Sequence, residues 1–465
     1  MKNNKFRSAC ALVISMFIFL GVFSGCKKEE VLKIWVGAES LEFYQRKMNE
    51  WVAAYNAANS KPFPWTVVVE RIDAGTAAAR FLDDTAAGAD IFTIPHDNLG
   101  RLIAGASAIG PVTDPRLLQQ IENDNPQIFL EVIKGKVGDV EYTFGIPYIS
   151  QAVMLYYNKD YISDEDVKTW EAVWAIAKAN GKQSVTINAP EADGYNNAFL
   201  VLATRASDGM PIADLYLNKE LANCNFNSEL AVAVMQWGQR FFTDSSPDGR
   251  IIYGAKRVSD SGWEVELANE VSLSVISGAW HFNAARAALG SKLGIAALPS
   301  FTLTAADVAG TNAQAGTVMR SGTFSDTRMF VMKKYKQGDK KAEVVQEILL
   351  YLSGKAMQEA AFEECANLPA YKNAAAEFRK VQENSVEGLL ARVQYEMFAS
   401  GRPQPFGANA RMNNWYYSQG APQIIFDILT NAKDSSGNPQ YDTTDKIRKG
   451  MSVVETIWRT GRRPE

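Results

Sequence analysis

The feature that most constrains this chain is the regular alternation of short apolar runs with longer runs of helical period. Val31–Val36 reads as a strand, Leu41–Ala58 as a helix and Thr66–Ile72 as a strand. Thr76–Ala87 is again helical, and Asp90–Ile94 is a short apolar strand that opens into the helical Asn98–Ala106. A βαβαβ order of this kind implies a parallel sheet with helices on both faces. Such sheets bind ligands in the loops that follow the carboxyl ends of their strands. The alternation resumes after Gly145, with strands predicted at Ala152–Tyr157, Ser184–Asn188, Val271–Ser277, Leu293–Leu298 and Arg328–Met332. Helices are expected between them at Thr169–Ala179, Asn196–Arg205, Ser228–Phe242 and Trp280–Ala288. From Lys341 the pattern turns helical, at Ala342–Leu352, Lys355–Glu363, Val386–Phe398, Trp415–Thr430 and Thr443–Thr460. An α/β body closed by a helical C-terminal third, in 465 residues, predicts two lobes rather than one enlarged sheet.

The N-terminus carries a different signal. Lys2, Lys5 and Arg7 precede an uncharged apolar run from Ala9 to Phe23. At about 15 residues the run is shorter than the roughly 20 of a membrane-spanning helix, and it suits a signal peptide. It ends at Phe23-Ser24-Gly25-Cys26, which resembles the lipobox of bacterial lipoproteins, with Phe23 where Leu is usual. Small residues before the cysteine admit a peptidase, and the thiol is the nucleophile for lipid attachment. The expectation is a signal over residues 1–25, a lipidated Cys26 with a charged tether to Glu30, and anchoring through several acyl chains such as palmitate. That places the body outside the cytoplasm, in a periplasm or on the outer face of a bacterial membrane. Cys224 and Cys365 could pair or stay as buried thiols.

Composition removes several function classes. The net charge is −4, and without the basic N-terminus the remainder is more acidic still, unlike a nucleic-acid binder. Only His96 and His281 are available as histidine bases or ligands, and no HExxH, GxSxG, Walker A, GxGxxG or EF-hand pattern occurs. Acidic pairs such as Asp83-Asp84 and Glu363-Glu364 fall on helix-like segments, as solvated faces do. The chain is expected to bind without catalysing, with no cofactor and no metal.

Aromatic residues are the positive signal. Ser277-Gly278-Ala279-Trp280 sets a Trp directly after a strand, and Asn413-Asn414-Trp415-Tyr416-Tyr417 sets three rings at a helix start. A ring offers a flat apolar face to the C–H face of a pyranose, while polar neighbours bind its hydroxyls.

An ordered set of markers then runs along nearly the whole chain. Leu32-Lys33-Ile34-Trp35 opens the first strand, and Ala89-Asp90-Ile91-Phe92 leads to Pro95-His96-Asp97-Asn98. Ile146-Pro147, Leu155-Tyr156-Tyr157-Asn158-Lys159-Asp160 and Lys168-Thr169-Trp170-Glu171 follow, then Ile276-Ser277-Gly278-Ala279-Trp280 and Gly294-Ile295-Ala296-Ala297-Leu298-Pro299-Ser300-Phe301. With these markers the chain resembles the family 1 extracellular solute-binding proteins, the maltodextrin-binding group of ABC importers. The resemblance implies a type II-like periplasmic-binding fold of two α/β lobes with three chain crossings, near Ser150–Ala152, Leu298–Pro299 and Leu349–Ser353. Residues 31–149 and 299–352 would then form the first lobe, and 150–298 and 353–465 the second. The run beginning Tyr156-Tyr157 would be structural.

Matched by position, the resemblance implies a ligand site with aromatic faces at Tyr195, Trp280, Trp415 and Tyr416. Asp97 keeps an acidic contact, whereas Glu39-Ser40 replaces an Asp-Lys pair, Asn98 an Arg, Ile94 a Trp and Gln151 a carboxylate near the hinge. Stacking faces are kept and the polar ring is rebuilt, so the implied ligand is a saccharide other than maltose. Hinge closure over the solute and delivery to membrane permeases would follow, by a monomer. A polyamine, a glycerol phosphate or a metal chelate is the rival ligand, and a surface carbohydrate-active enzyme or a scaffold lipoprotein the rival class. Residues 302–319, rich in Thr, Ala and Gly, read as an added loop, over the cleft or elsewhere on the surface.

Overall fold

The computed structural model describes residues 30–104, 107–188, 195, 198–212, 225–258, 262–374, 377, 385–403, 415 and 419–464. Cys26, Tyr416 and Cys224 lie outside these. Among the described residues no helix is long and apolar enough to cross a membrane.

Apolar residues collect into two clusters, each built on its own sheet. The first sheet begins with β1 (Val31–Val36), β2 (Thr66–Arg71) and β3 (Ile91–Pro95), all mutually parallel, with β1 in the middle. The helix Leu41–Ala58 joins β1 to β2 and turns Tyr44 and Met48, one helical turn apart, into the first cluster. Three short strands follow: β4 (Ile109–Gly110) and an exposed hairpin of β5 (Lys134–Val137) and β6 (Val140–Thr143). The hairpin and β7 (Ile146–Gln151) were not anticipated from the sequence, because Gly, Lys and Pro interrupt their period-2 pattern.

The second sheet begins with β8 (Val153–Asn158), buried along its whole length, and β9 (Val185–Asn188). After β10 (Thr204–Arg205), which lies outside this sheet, come its strands β11 (Ala255–Val258), β12 (Ser274–Gly278) and β13 (Leu293–Ala296). β11, β9 and β12 are parallel, and β8 runs antiparallel between β12 and β13. The Lys-Thr-Trp-Glu marker is a structural knot. Thr169 caps its helix by accepting from Ala172 N at 3.3 Å, Trp170 donates to Ser321 at 3.0 Å, and Glu171 accepts from Thr302 N at 2.9 Å. Tyr156 likewise donates its hydroxyl to Gly278 O at 2.9 Å, tying β8 to the end of β12.

The chain leaves the first sheet at Gln151 and enters the second at Val153. It returns later than expected. β14 (Ser300–Thr302) and β15 (Val318–Arg320) pair with each other and β15 with β10, while Phe301, Leu303 and Met319 are buried in the second cluster. The return falls at Thr323, just before β16 (Phe324–Lys333), which pairs with β3, β4 and β7. Pro299 therefore does not mark the crossing, because Phe301 stacks on Trp237 of the second lobe, centroids 4.2 Å apart. The last crossing is also later. Met357, Ala361 and Cys365 still belong to the first cluster, and Leu368 and Tyr371 to the second. Apolar side chains, not helix boundaries, decide where the chain changes lobe.

The helix Val386–Ser400 lies behind the crossings, where Gln394 donates to Ser150 O at 2.7 Å and Phe398 O accepts from Ser325 Oγ at 2.6 Å. After β17 (Arg402–Pro403), the helices Ala421–Leu429 and Thr444–Thr460 pack together and on Glu229–Thr243 of the second lobe. The loop after β14 rests on that same helix. Buried Asp307 accepts two bonds from Arg240, at 3.0 and 2.9 Å, and its carbonyl accepts from Gln236 at 2.8 Å. Cys365 is a buried free thiol.

Candidate functional site

The ends of the two sheets meet where their parallel strands terminate. β1 ends in Gly37-Ala38-Glu39, β2 is followed by Asp73, and β3 by His96-Asp97-Asn98. β16 runs the other way, so its first half, with Asp326 and Arg328, lies at this same end. From the second sheet, β12 ends in Gly278-Ala279-Trp280-His281, and Tyr195 follows β9. Loops at carboxyl strand ends expose backbone polar groups and side chains toward one point, which is why ligands gather there.

Trp280 is half-buried, and Gly278 makes room for it: a Cβ at Gly278 would collide with the six-membered ring of the indole. Tyr195 lies beside it, with ring centroids 5.9 Å apart, and stacks on Phe324 at the crossing, 5.7 Å away. The Arg328 guanidinium of the first lobe reaches over the Trp280 ring, 5.8 Å from its centroid. Arg328 also donates to Glu39 Oε1 at 2.6 Å. Burial works against the Arg328 charge, but Glu39 restores it and keeps the pKa above its ordinary value. His281 shares the seam. Its Nδ1 lies 2.7 Å from Ser277 Oγ, and burial, followed by the nearby Arg328 charge, pushes its pKa down to about 4. The imidazole is therefore neutral at physiological pH.

A second group sits on the crossing side. His96 Nδ1 is paired with the buried Asp326 carboxylate, and Asp326 lies opposite Gln151 in the β16–β7 register. Asn98 Nδ2 donates to Asp97 Oδ1 at 3.0 Å. Burial first, and then the neighbouring Asp326 charge, raise the Asp97 pKa to about 6. Among the described residues no cluster of His, Cys, Asp and Glu is arranged to hold a metal ion.

The sequence-derived candidates thus divide. Glu39, Tyr195 and Trp280 converge around Arg328, and Asp97, Asn98 and Gln151 gather around Asp326. Ser40 is buried at a helix start, and Ile94 is a member of the first apolar cluster opposite Met329, so it lines no opening. Trp415 is corrected most sharply. It is buried between Phe226, stacked at 5.5 Å, and Trp458, edge-on at 6.0 Å, inside the second lobe. With 2% of its surface exposed, the ring offers no face to a solute. Arg328, Asp326, His96 and His281 were missed. Asp326 and Arg328 stand at i and i+2 and so share one face of β16, but the polar Ser325-Asp326-Thr327-Arg328 stretch carries no sequence signal that sets them apart.

Residues 50–385 match the family model for bacterial extracellular solute-binding proteins. No curated protein matches the sequence. Among solved structures, a maltodextrin-binding protein from L. casei BL23 without ligand superposes with a TM-score of 0.62 at 20% identity, over 91% of this chain and 99% of that one. A structure with acarbose gives 0.67 at 18%, over 93% and 99%. A cyclo/maltodextrin-binding protein complexed with maltotetraose gives 0.59 at 18%, over 94% and 99%. At these identities the likeness is one of fold.

Proposed function

Because the chain belongs to the bacterial extracellular solute-binding proteins, we propose that it captures a saccharide between its two lobes and hands it to the permease of an ABC importer. The observation that carries this reading is the half-buried Trp280 indole facing polar side chains at the strand ends of the opposite lobe. A ring of that kind stacks on a pyranose, and Glu39, Arg328 and Asp97 supply donors and acceptors for its hydroxyls. Solved structures of similar fold hold acarbose and maltotetraose, which supports the ligand class. The polar set differs from an Asp-Lys and Arg arrangement, so the ligand is a saccharide other than maltose. No step requires bond cleavage, and the protein acts as a binder. Closure about the three crossings brings both faces onto the ligand and shifts the population to the closed form. Lipidation at Cys26 would hold the body at the membrane, outside the cytoplasm.

A thermal-shift screen of neutral mono- to tetrasaccharides, followed by calorimetric titration of the strongest, tests the reading. One sugar should raise Tm and bind with a single site, and Trp280→Ala should reduce the shift. A response to spermidine or glycerol 3-phosphate alone would replace the saccharide, and cleavage of an oligosaccharide would replace capture with catalysis. Four carboxylates, Glu39 and Asp73 on the Arg328 side and Asp97 and Asp326 on the Arg101 side, outnumber these two arginines and keep a polyamine as the second reading.

A further inference from the structure

Arg328 bridges the seam, and its position bears on how the lobes close. Its carboxylate partner, Glu39, belongs to its own lobe, at 2.6 Å, while its other neighbour, Trp280, belongs to the opposite lobe. Both members of the ion pair are mostly buried, with 14% and 19% of their side-chain surfaces exposed. A guanidinium 5.8 Å from the ring centroid covers the indole face. A pyranose stacked there would lie ~4 Å above the ring plane and would fill the same space. The two cannot occupy that face together.

We infer that Arg328 is a binding residue that also latches the lobes: it holds the Trp280 face in the ligand-free protein and turns its N–H donors to the sugar hydroxyls when the ring takes that face. This rests on the saccharide reading for its second half only. Glu39 is the pivot. By accepting from one of the five donors of the guanidinium, it keeps the charge at the seam while the remaining donors change partner. The exchange makes Arg328 a determinant of specificity, since a solute with no hydroxyl at that height leaves the donors unmatched. Sulfates, phosphates and uronates are disfavoured by Glu39 and Asp73, whose carboxylates act on the same seam.

Small-angle scattering of the ligand-free protein tests the latch without any sugar. A compact chain of this length has a radius of gyration of about 23 Å. Arg328→Met and Trp280→Leu should each shift the radius to a larger value, and the double variant should shift it no further. Superimposable curves for wild type and both variants would overturn the latch. Circular dichroism and Tm identify a variant that fails to fold, in which case Arg328→Lys, which keeps the charge and loses the fork, takes its place and should open the protein partway. For the binding half, the neutral saccharide that gives the largest thermal shift is titrated into wild type and Arg328→Met. A Kd at least tenfold weaker is expected, and an unchanged Kd removes Arg328 from the site. If no saccharide binds wild type, the proposed function fails while the scattering still decides the latch.

Discussion

The first lobe brings charge to the seam and the second brings rings. Glu39, Asp97, Asp326 and Arg328 stand on or after strands of the first sheet, whereas Trp280, Tyr195 and a neutral His281 follow strands of the second. The charged groups find partners within their own lobe, Glu39 with Arg328 and His96 with Asp326, and so are held in place before closure. The rings contribute mainly apolar surface, with His281 held by Ser277 Oγ at 2.7 Å. Under the proposed function this divides the labour: the polar lobe would set which hydroxyls are accepted, and the aromatic lobe would contribute most of the buried area.

The comparison is broken most readily at Trp415, the ring that packing removes from the second lobe's contribution. Trp415→Ala should cost about 3–5 kcal/mol of stability, as large core deletions do, and leave saccharide affinity of the folded protein unchanged. Urea unfolding paired with calorimetry checks this, and a binding loss without destabilisation would return Trp415 to the site. Next in size is Glu39→Ala, which leaves the Arg328 charge unpaired at the seam. A loss of about 2–3 kcal/mol is expected, below the roughly 3–5 for a wholly buried pair, with partial recovery in the Glu39→Ala/Arg328→Met double variant.

Trp280→Ala sharpens the contrast from the other side. It should weaken saccharide binding by about 1–3 kcal/mol while lowering stability by about 1 kcal/mol or less, since the ring is only half-buried. The smallest effect is pH-dependent. Because the Asp97 pKa is raised from 3.8 to about 6, folding favours its protonated form. The stability this gives is complete below the ordinary carboxylate range and is lost as pH climbs through about 6. Asp97→Asn should therefore stabilise the protein by about 1–2 kcal/mol at pH 8 and have no stabilising effect at pH 4, as read from thermal melts across that range. A gain that is flat with pH would mean that Asp97 is not the titrating group.

Much of the fold was legible locally. The Val31–Val36 strand and the Leu41–Ala58 helix stand where the periodicity set them, because an element buried along one face writes its period into the sequence. β10, β14 and β15 escaped notice: strands of two or three residues carry no period and exist only because neighbours supply their hydrogen bonds. Among the candidate residues, Trp280 was legible as a ring directly after a strand, whereas Glu39 and Asp97 entered through the family resemblance. Arg328 was not legible, because its role depends on Glu39 and Trp280, which are distant along the chain.

The amino-acid order by itself determined the α/β alternation, the family resemblance and the strand ends at which a solute can be held, all of which rest on interactions between near neighbours. Tertiary structure alone decided where the chain changes lobe, which of two tryptophans stands at the seam rather than in a core, and which charge stands over it. Those outcomes turn on the volume left between packed elements, and no stretch of sequence records the shape of the space opposite it.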